Sequence, residues 1–271
     1  WEAGSNYYVL LNEEEYNSAV TEAENGLNFN KGTISSSSNY SYHTDAVVDQ
    51  VIKQVMDEKG ISRQLAENYV YSSGLTIYST VDSTIQARVE EEYQKEKYIK
   101  AGKAKDANGN KLNDHTESGM AIIDYKTGNV VAIAGGLGEK QGAGWNRATQ
   151  MKKQTGSSIK MIADVAPALE EKIITPATVY VDEKTDFGNY TPKNDGNKYK
   201  NSTMNIREFI ALSRNIPALK IMKELTPKKS LEYLKKMGFS SLDSNDEVLA
   251  LAIGGMTHGA SPLEMAGAYG T

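Results

Sequence analysis

The sequence predicts an α+β fold, a short antiparallel sheet flanked by helices. Two observations carry this reading. Apolar residues recur at helical spacing through most of the 271 residues. One pair of apolar runs, Met120 to Asp124 and Val130 to Ala134, brackets Lys126-Thr127-Gly128-Asn129, which has the composition of a hairpin turn. Both runs are apolar on both faces, so each side of the hairpin needs a cover. At 39% hydrophobic and 24% charged, a chain of this length can bury a proper core, as one large domain or two small ones.

In chain order, an apolar run at Tyr7 to Leu11 precedes an acidic, helical segment from Glu13 to Glu24. Residues 33 to 44, with serines 35 to 38 in a row, lack periodicity and read as a linker. Asp45 to Lys59 is predicted as a helix: Val48, Val51, Ile52, Val55 and Met56 make one stripe, Asp45 caps it and Gly60 ends it. A shorter helix follows over Ser62 to Tyr71. Leu75 to Thr80 alternates and predicts a strand. Ser83 to Lys97 predicts a helix with Ile85, Val89 and Tyr93 inward, and residues 101 to 118 a polar loop.

After the hairpin, Ile159, Ile162, Ala163, Ala166 and Leu169 mark an amphipathic helix that Pro167 kinks or ends. Residues 184 to 203 form a polar loop. Asn205 with Glu208 resembles a capping box opening a helix through Ile206, Phe209 and Ile210. Pro217 favours the first position of the next helix, which puts Ser213-Arg214-Asn215 in a joint. Thr226-Pro227 starts another helix, with Leu231, Leu234 and Met237 inward and Gly238 at its end. Val248 to Ala268, apolar and rich in small residues, predicts a buried helix.

Composition excludes several functions. A formal net charge of -5 without a long basic run argues against nucleic acid as the main partner. The chain has no cysteine, and His43, His115 and His258 are scattered. A cysteine nucleophile is therefore excluded, a Ser-His-Asp triad is disfavoured, and neither a metal nor a cofactor is expected. No apolar run approaches the ~20 residues of a membrane helix, and no signal-peptide pattern opens the sequence.

Chemistry is carried by two short patterns. Ser157 is the only serine with a lysine three residues on, Lys160, and that spacing puts both on one face of a helix. A lysine whose pKa is lowered by burial can take the serine proton, and a helix N-terminus favours negative charge developing beside the hydroxyl. The same residues could equally be an exposed serine and a solvated lysine. Ser213 and Asn215, in the joint, would present a hydroxyl and an amide suited to proton shuttling and to a peptide hydrogen bond. They could also simply close one helix and cap the next.

The chain resembles the transpeptidase domain of class A, bifunctional penicillin-binding proteins. The resemblance runs from about Tyr42, through "GLTIYSTVDSTIQ" from Gly74, "GMAIIDYKTGNVVAIAGG" from Gly119, "NRAT" at Asn146, "QTGSSIK" at Gln154, "YTPKN" at Tyr190, "ALSRNIPAL" at Ala211 and "GASPLEMAGAY" at Gly259. It includes the Ser-x-x-Lys and Ser-x-Asn members of that group's motif set. It implies a penicillin-recognising serine transpeptidase fold, β-lactamase-like, with a largely antiparallel five-stranded sheet of which only the first strands and the helical subdomain are present here. It divides the chain into a connecting segment (1–41), a linker subdomain (42–117) and the N-terminal part of the transpeptidase domain (118–271).

By the same resemblance, Ser157 is acylated by the D-Ala-D-Ala end of a peptidoglycan stem peptide, Lys160 is its base, and Ser213 and Asn215 form the second motif. β-Lactams would acylate the same serine. A serine β-lactamase or penicillin-sensing domain, and a non-catalytic cell-wall scaffold, are the competing readings. Thr155 and Met161 stand where the family often has proline, and Lys153 where it has arginine. The family's Lys-Thr-Gly follows Ser-x-Asn, whereas Lys126-Thr127-Gly128 precedes the nucleophile in a hairpin turn, and Ser37-Ser38-Asn39 lies in the linker. The expectation is that a second polypeptide, from the same original chain, supplies the remaining strands and Lys-Thr-Gly. A glycosyltransferase domain and membrane anchor, at the extracytoplasmic face of the cell membrane, are implied for the full-length protein.

Overall fold

The structure is a computed structural model and describes residues 12–25, 40–100 and 115–271. The apolar run at 7–11, Ser37-Ser38-Asn39 with most of the serine-rich linker, and loop positions 101–114 lie outside the described residues. Residues 1–37 and 38–271 form separate units. The first contains α1 (Glu13–Glu24), over the segment predicted to be helical.

In the second unit, α2 (Tyr42–Lys59) starts three residues before the predicted position. Ser41 is the cap, its hydroxyl accepting from the Thr44 amide at 3.0 Å. Asp45 lies inside the first turn and pairs with Lys140 at 2.7 Å. Gly60 ends the helix at φ 62°. Helix α3 (Arg63–Ser72) packs on α2 through Ala66 and Val70 against Ile52 and Val55.

The predicted strand at Leu75 to Thr80 has no ladder partner among the described residues. Leu75, Ile77 and Tyr78 are exposed; the Thr80 hydroxyl and the Asp82 amide reach the Val130 and Val131 carbonyls. Alternation reports β propensity, but a strand also needs a neighbour. Helix α4 (Ser83–Tyr93) is capped by Asp82. Ile85 faces outward, against prediction. Gln86 turns in instead, exchanging hydrogen bonds with the Ile133 backbone at 2.9 Å each. An amide that satisfies a strand's outward groups outcompetes an aliphatic side chain for that position.

The hairpin forms as predicted: β1 (Met120–Asp124) pairs antiparallel with β2 (Asn129–Ala134), with Gly128 at φ 76°. Val89 of α4 covers Ala132 and Ala134. Among the described residues no hydrogen bond reaches the outer edge of β1.

The larger core surrounds Ile159, Phe209, Leu219, Met222, Leu234 and Leu251. It is built by a π-helical turn (Met161–Val165), α5 (Ala166–Glu170), α6 (Ile206–Ala211), α7 (Asn215–Leu225) and α8 (Pro227–Lys236). Asn205 caps α6 and Thr226 caps α8 through their side chains. The π turn immediately before Pro167 is the predicted break. A short ladder, β3 (Val179–Val181) with β4 (Thr203–Asn205), was not predicted; three-residue strands beside a polar loop leave no alternation to read.

The predicted buried helix over 248–268 is instead a 3-10 turn (Leu249–Ile253), a glycine-rich turn, and α9 (Pro262–Tyr269). Gly254 at φ 90° breaks the first piece, and the Ser261–Glu264 capping box starts the second. Helix α9 packs on β1, opposite α4.

Candidate active site

Gly156, at φ 55°, opens a 3-10 turn over Gly156–Ile159. This replaces the predicted α-helical start, but residues three apart lie over one another in a 3-10 turn, so Ser157 and Lys160 keep a common face. The Lys160 backbone amide donates to the Ser157 carbonyl, and no hydrogen bond joins their side chains. Among the described residues the Ser157 hydroxyl has no partner, and it lines an open cleft of about 780 Å³ with Lys193, Asn194, Ser213 and Asn215. The Ser158 hydroxyl turns back onto the Thr155 carbonyl at 2.6 Å.

The backbone carrying Ser157 is tightly held. Lys153 and Ala260 exchange amide–carbonyl bonds at 3.0 and 2.9 Å, and the Gln154 side chain clasps the Met256 backbone in both directions. The approach requires glycine: a Cβ on Gly259 would lie 2.2 Å from the Lys153 carbonyl, and one on Gly254 2.4 Å from the Gly156 nitrogen.

Lys160 is only 4% exposed. Its Nζ donates to the Ser213 carbonyl at 2.7 Å, to Asn215 Oδ1 at 2.7 Å and to the Ser213 hydroxyl at 3.3 Å. The joint between α6 and α7 makes this meeting possible: Ser213 turns the chain at φ 50°, and α7 starts at Asn215, so Pro217 is its third residue and not its first. Ser213 does close α6, its amide donating to the Ile210 carbonyl at 3.0 Å and the Arg214 amide to the Phe209 carbonyl at 3.2 Å, but Asn215 does not cap α7; its Nδ2 donates to the Lys193 carbonyl at 2.8 Å.

Burial lowers the Lys160 pKa to about 8, against the opposing pull of Asp164. Asp164, on the π turn, is fully buried, and neither of its carboxylate oxygens has a hydrogen-bond partner among the described residues. Burial pushes its pKa well above the usual carboxylate range, with Lys160 opposing. The sequence carried a signal for this acid, a charged residue inside the apolar run Ile162 to Ala166. Lys126-Thr127-Gly128 sits in the β1–β2 turn, where the Thr127 hydroxyl bonds Asp124, away from the residues that line the cleft. Among the described residues no group of three or more His, Cys, Asp or Glu could hold a metal, and no helix is long and apolar enough to cross a membrane.

A buried lysine joined to a Ser-x-Asn joint beside an open serine can be set against known proteins. The family described as penicillin binding protein transpeptidase domain matches residues 119–271, more than half of the chain. The chain belongs to this family. Penicillin-binding protein 1A of Clostridium tetani is 33% identical over 247 residues, covering 86% of this chain and 31% of that protein. Penicillin-binding protein 1F of Bacillus subtilis is 33% identical over 227 residues, covering 84% and 29%. The chain therefore spans about a third of the length of these relatives.

Among solved structures, penicillin-binding protein 1A from Haemophilus influenzae is 30% identical with a TM-score of 0.50, covering 64% of this chain and 25% of that one. The PonA1 protein from Mycobacterium tuberculosis in complex with penicillin V has a TM-score of 0.63 over 84% of this chain and 58% of that one; at 22% identity this is a likeness of fold. The expected α+β transpeptidase fold and the resemblance to class A penicillin-binding proteins are both borne out.

Proposed function

We propose that this chain carries the acylating centre of a peptidoglycan D,D-transpeptidase. The observation that supports it best is Lys160, buried, lowered toward neutrality and joined to Ser213 and Asn215 beside the free Ser157 hydroxyl. Ser157 Oγ gives its proton to the Lys160 amine and bonds to the carbonyl carbon of the penultimate D-Ala. The C–N bond to the terminal D-Ala breaks, and the leaving amine takes up a proton through Lys160 and Ser213. An acceptor amine then attacks the ester, forming the cross-link and returning Ser157. The Asn215 side chain orients Lys160 and the bound peptide. A β-lactam enters as a strained analogue of the donor and stops at the ester.

The division at 1–41, 42–117 and 118–271, a position at the extracytoplasmic face of a bacterial membrane, and a full-length protein with a glycosyltransferase domain and anchor belong to the same proposal. So does a second polypeptide carrying the remaining strands and Lys-Thr-Gly; the outer edge of β1, unpaired among the described residues, and the open cleft support it.

Intact-mass analysis after exposure to penicillin tests the reading. It predicts a persistent one-to-one adduct on Ser157 that Ser157→Ala abolishes. An adduct that clears within seconds identifies a β-lactamase, and labelling unchanged by Ser157→Ala refutes acylation at this serine.

A further inference from the structure

The segment Tyr190-Thr191-Pro192-Lys193-Asn194 stands out in the sequence but has no part in the chemistry above. Its Asn194 is 3% exposed. The Asn194 amide oxygen accepts from the backbone nitrogens of Asn215 at 2.8 Å and Ile216 at 3.2 Å. These are the first amides of α7, and Arg214, the residue before them, offers no side-chain cap. Asn194 therefore caps α7 from a distant loop. Its Nδ2 donates to the Asp182 carboxylate at 2.6 Å and to the Lys198 carbonyl at 3.0 Å. Asp182 is completely buried, and also accepts from the Lys200 amide at 2.9 Å and faces the Arg214 guanidinium at 3.6 Å.

The adjacent Lys193 carbonyl takes the Asn215 Nδ2. Turning the Asn215 amide over would set its oxygen against that carbonyl and its NH₂ against the Lys160 ammonium, two repulsive contacts. One loop thus fixes the Asn215 backbone and which end of its side chain points at Lys160.

We infer that Asn194, held by Asp182, is a positioning residue for acylation: it clamps the start of α7 so that Asn215 Oδ1 meets Lys160. The inference rests on the acyl-transfer reading above. Asn194 acts through Asn215 and not on the reacting atoms, so its effect on chemistry disappears when Asn215 cannot hold Lys160. A strut that only stabilised the fold would lower the melting temperature and leave the acylation rate of folded molecules alone.

The test is the acylation rate by labelled penicillin, per folded molecule of the complete protein, with melting temperature measured in parallel. Asn194→Ala is expected to slow acylation about tenfold or more, since small displacements at a reacting centre cost that much. In an Asn215→Ala background the same substitution is expected to change the rate by less than about twofold. Asp182→Asn, the same size and less disruptive, keeps the question answerable if Asn194→Ala does not fold; it is expected to slow acylation about threefold, again only with Asn215 present. Wild-type rates in both variants, or losses that persist in full without Asn215, overturn the inference while the Ser157 adduct stands. Absence of any Ser157 adduct in the wild type overturns this inference and the proposed function together.

Discussion

The two side chains proposed to react are held in opposite ways. Lys160 is buried and its ammonium is directed at three acceptors, two of them at 2.7 Å, while the Ser157 hydroxyl has no partner among the described residues and opens on the cleft. Their backbones differ in a matching way. The Ser157 segment is pinned by the 254–260 turn, whereas Lys160 stands where a 3-10 turn passes into a π turn, a rare geometry. A base must be desolvated and oriented before a substrate arrives. A nucleophile needs a fixed backbone and a hydroxyl free to follow the carbonyl it attacks.

The largest break in this contrast is Lys160→Met. It leaves a group of similar length without a proton acceptor, and is expected to slow penicillin acylation by about a hundredfold to ten-thousandfold. Stopped-flow labelling measures this, and a loss below tenfold would remove lysine from the role of base.

Gly259→Ala comes next and acts on the other side of the contrast. At φ 80°, with its Cβ driven into the Lys153 carbonyl, the backbone behind Ser157 must move. A destabilisation of about 2–4 kcal/mol is expected, read as a lowered melting temperature. A melting temperature equal to the wild type would show that the pinning described here is absent. The smallest effect is expected from Lys126→Ala: stability within about 0.5 kcal/mol and unchanged labelling, because a lysine in the β1–β2 turn is a surface residue. A tenfold loss of labelling there would bring this Lys-Thr-Gly into the site.

Much of this arrangement was legible from residue order. The hairpin, the joint at Ser213 and the caps at Asn205 and Thr226 follow local rules of turn and capping chemistry, which depend on neighbours in sequence. What was hidden depends on distant backbone. The segment Leu75 to Thr80 has strand-like alternation and no partner strand among the described residues, Gln86 displaces Ile85 because Ile133 offers it two hydrogen bonds, and the apolar run after Val248 is divided where Gly254 and Gly259 press on residues 153–156. The spacing of Ser157 and Lys160 suggested a shared helical face, which a 3-10 turn also gives, but the acceptors of the Lys160 ammonium lie more than fifty residues away and could not be read from it. Asn194 shows the same limit: its motif was visible, but its contacts with α7 and Asp182 were not.

The acylation rate followed across pH tests the role of Lys160 most directly. The lysine acts as a free amine, which is scarce below its pKa, so the rate must rise with pH and reach half its maximum near the pKa of about 8 that burial imposes. A midpoint near about 8 that disappears in Lys160→Met supports the account. A midpoint near about 10.4, the value of a solvated lysine, or a profile indifferent to Lys160, would contradict it.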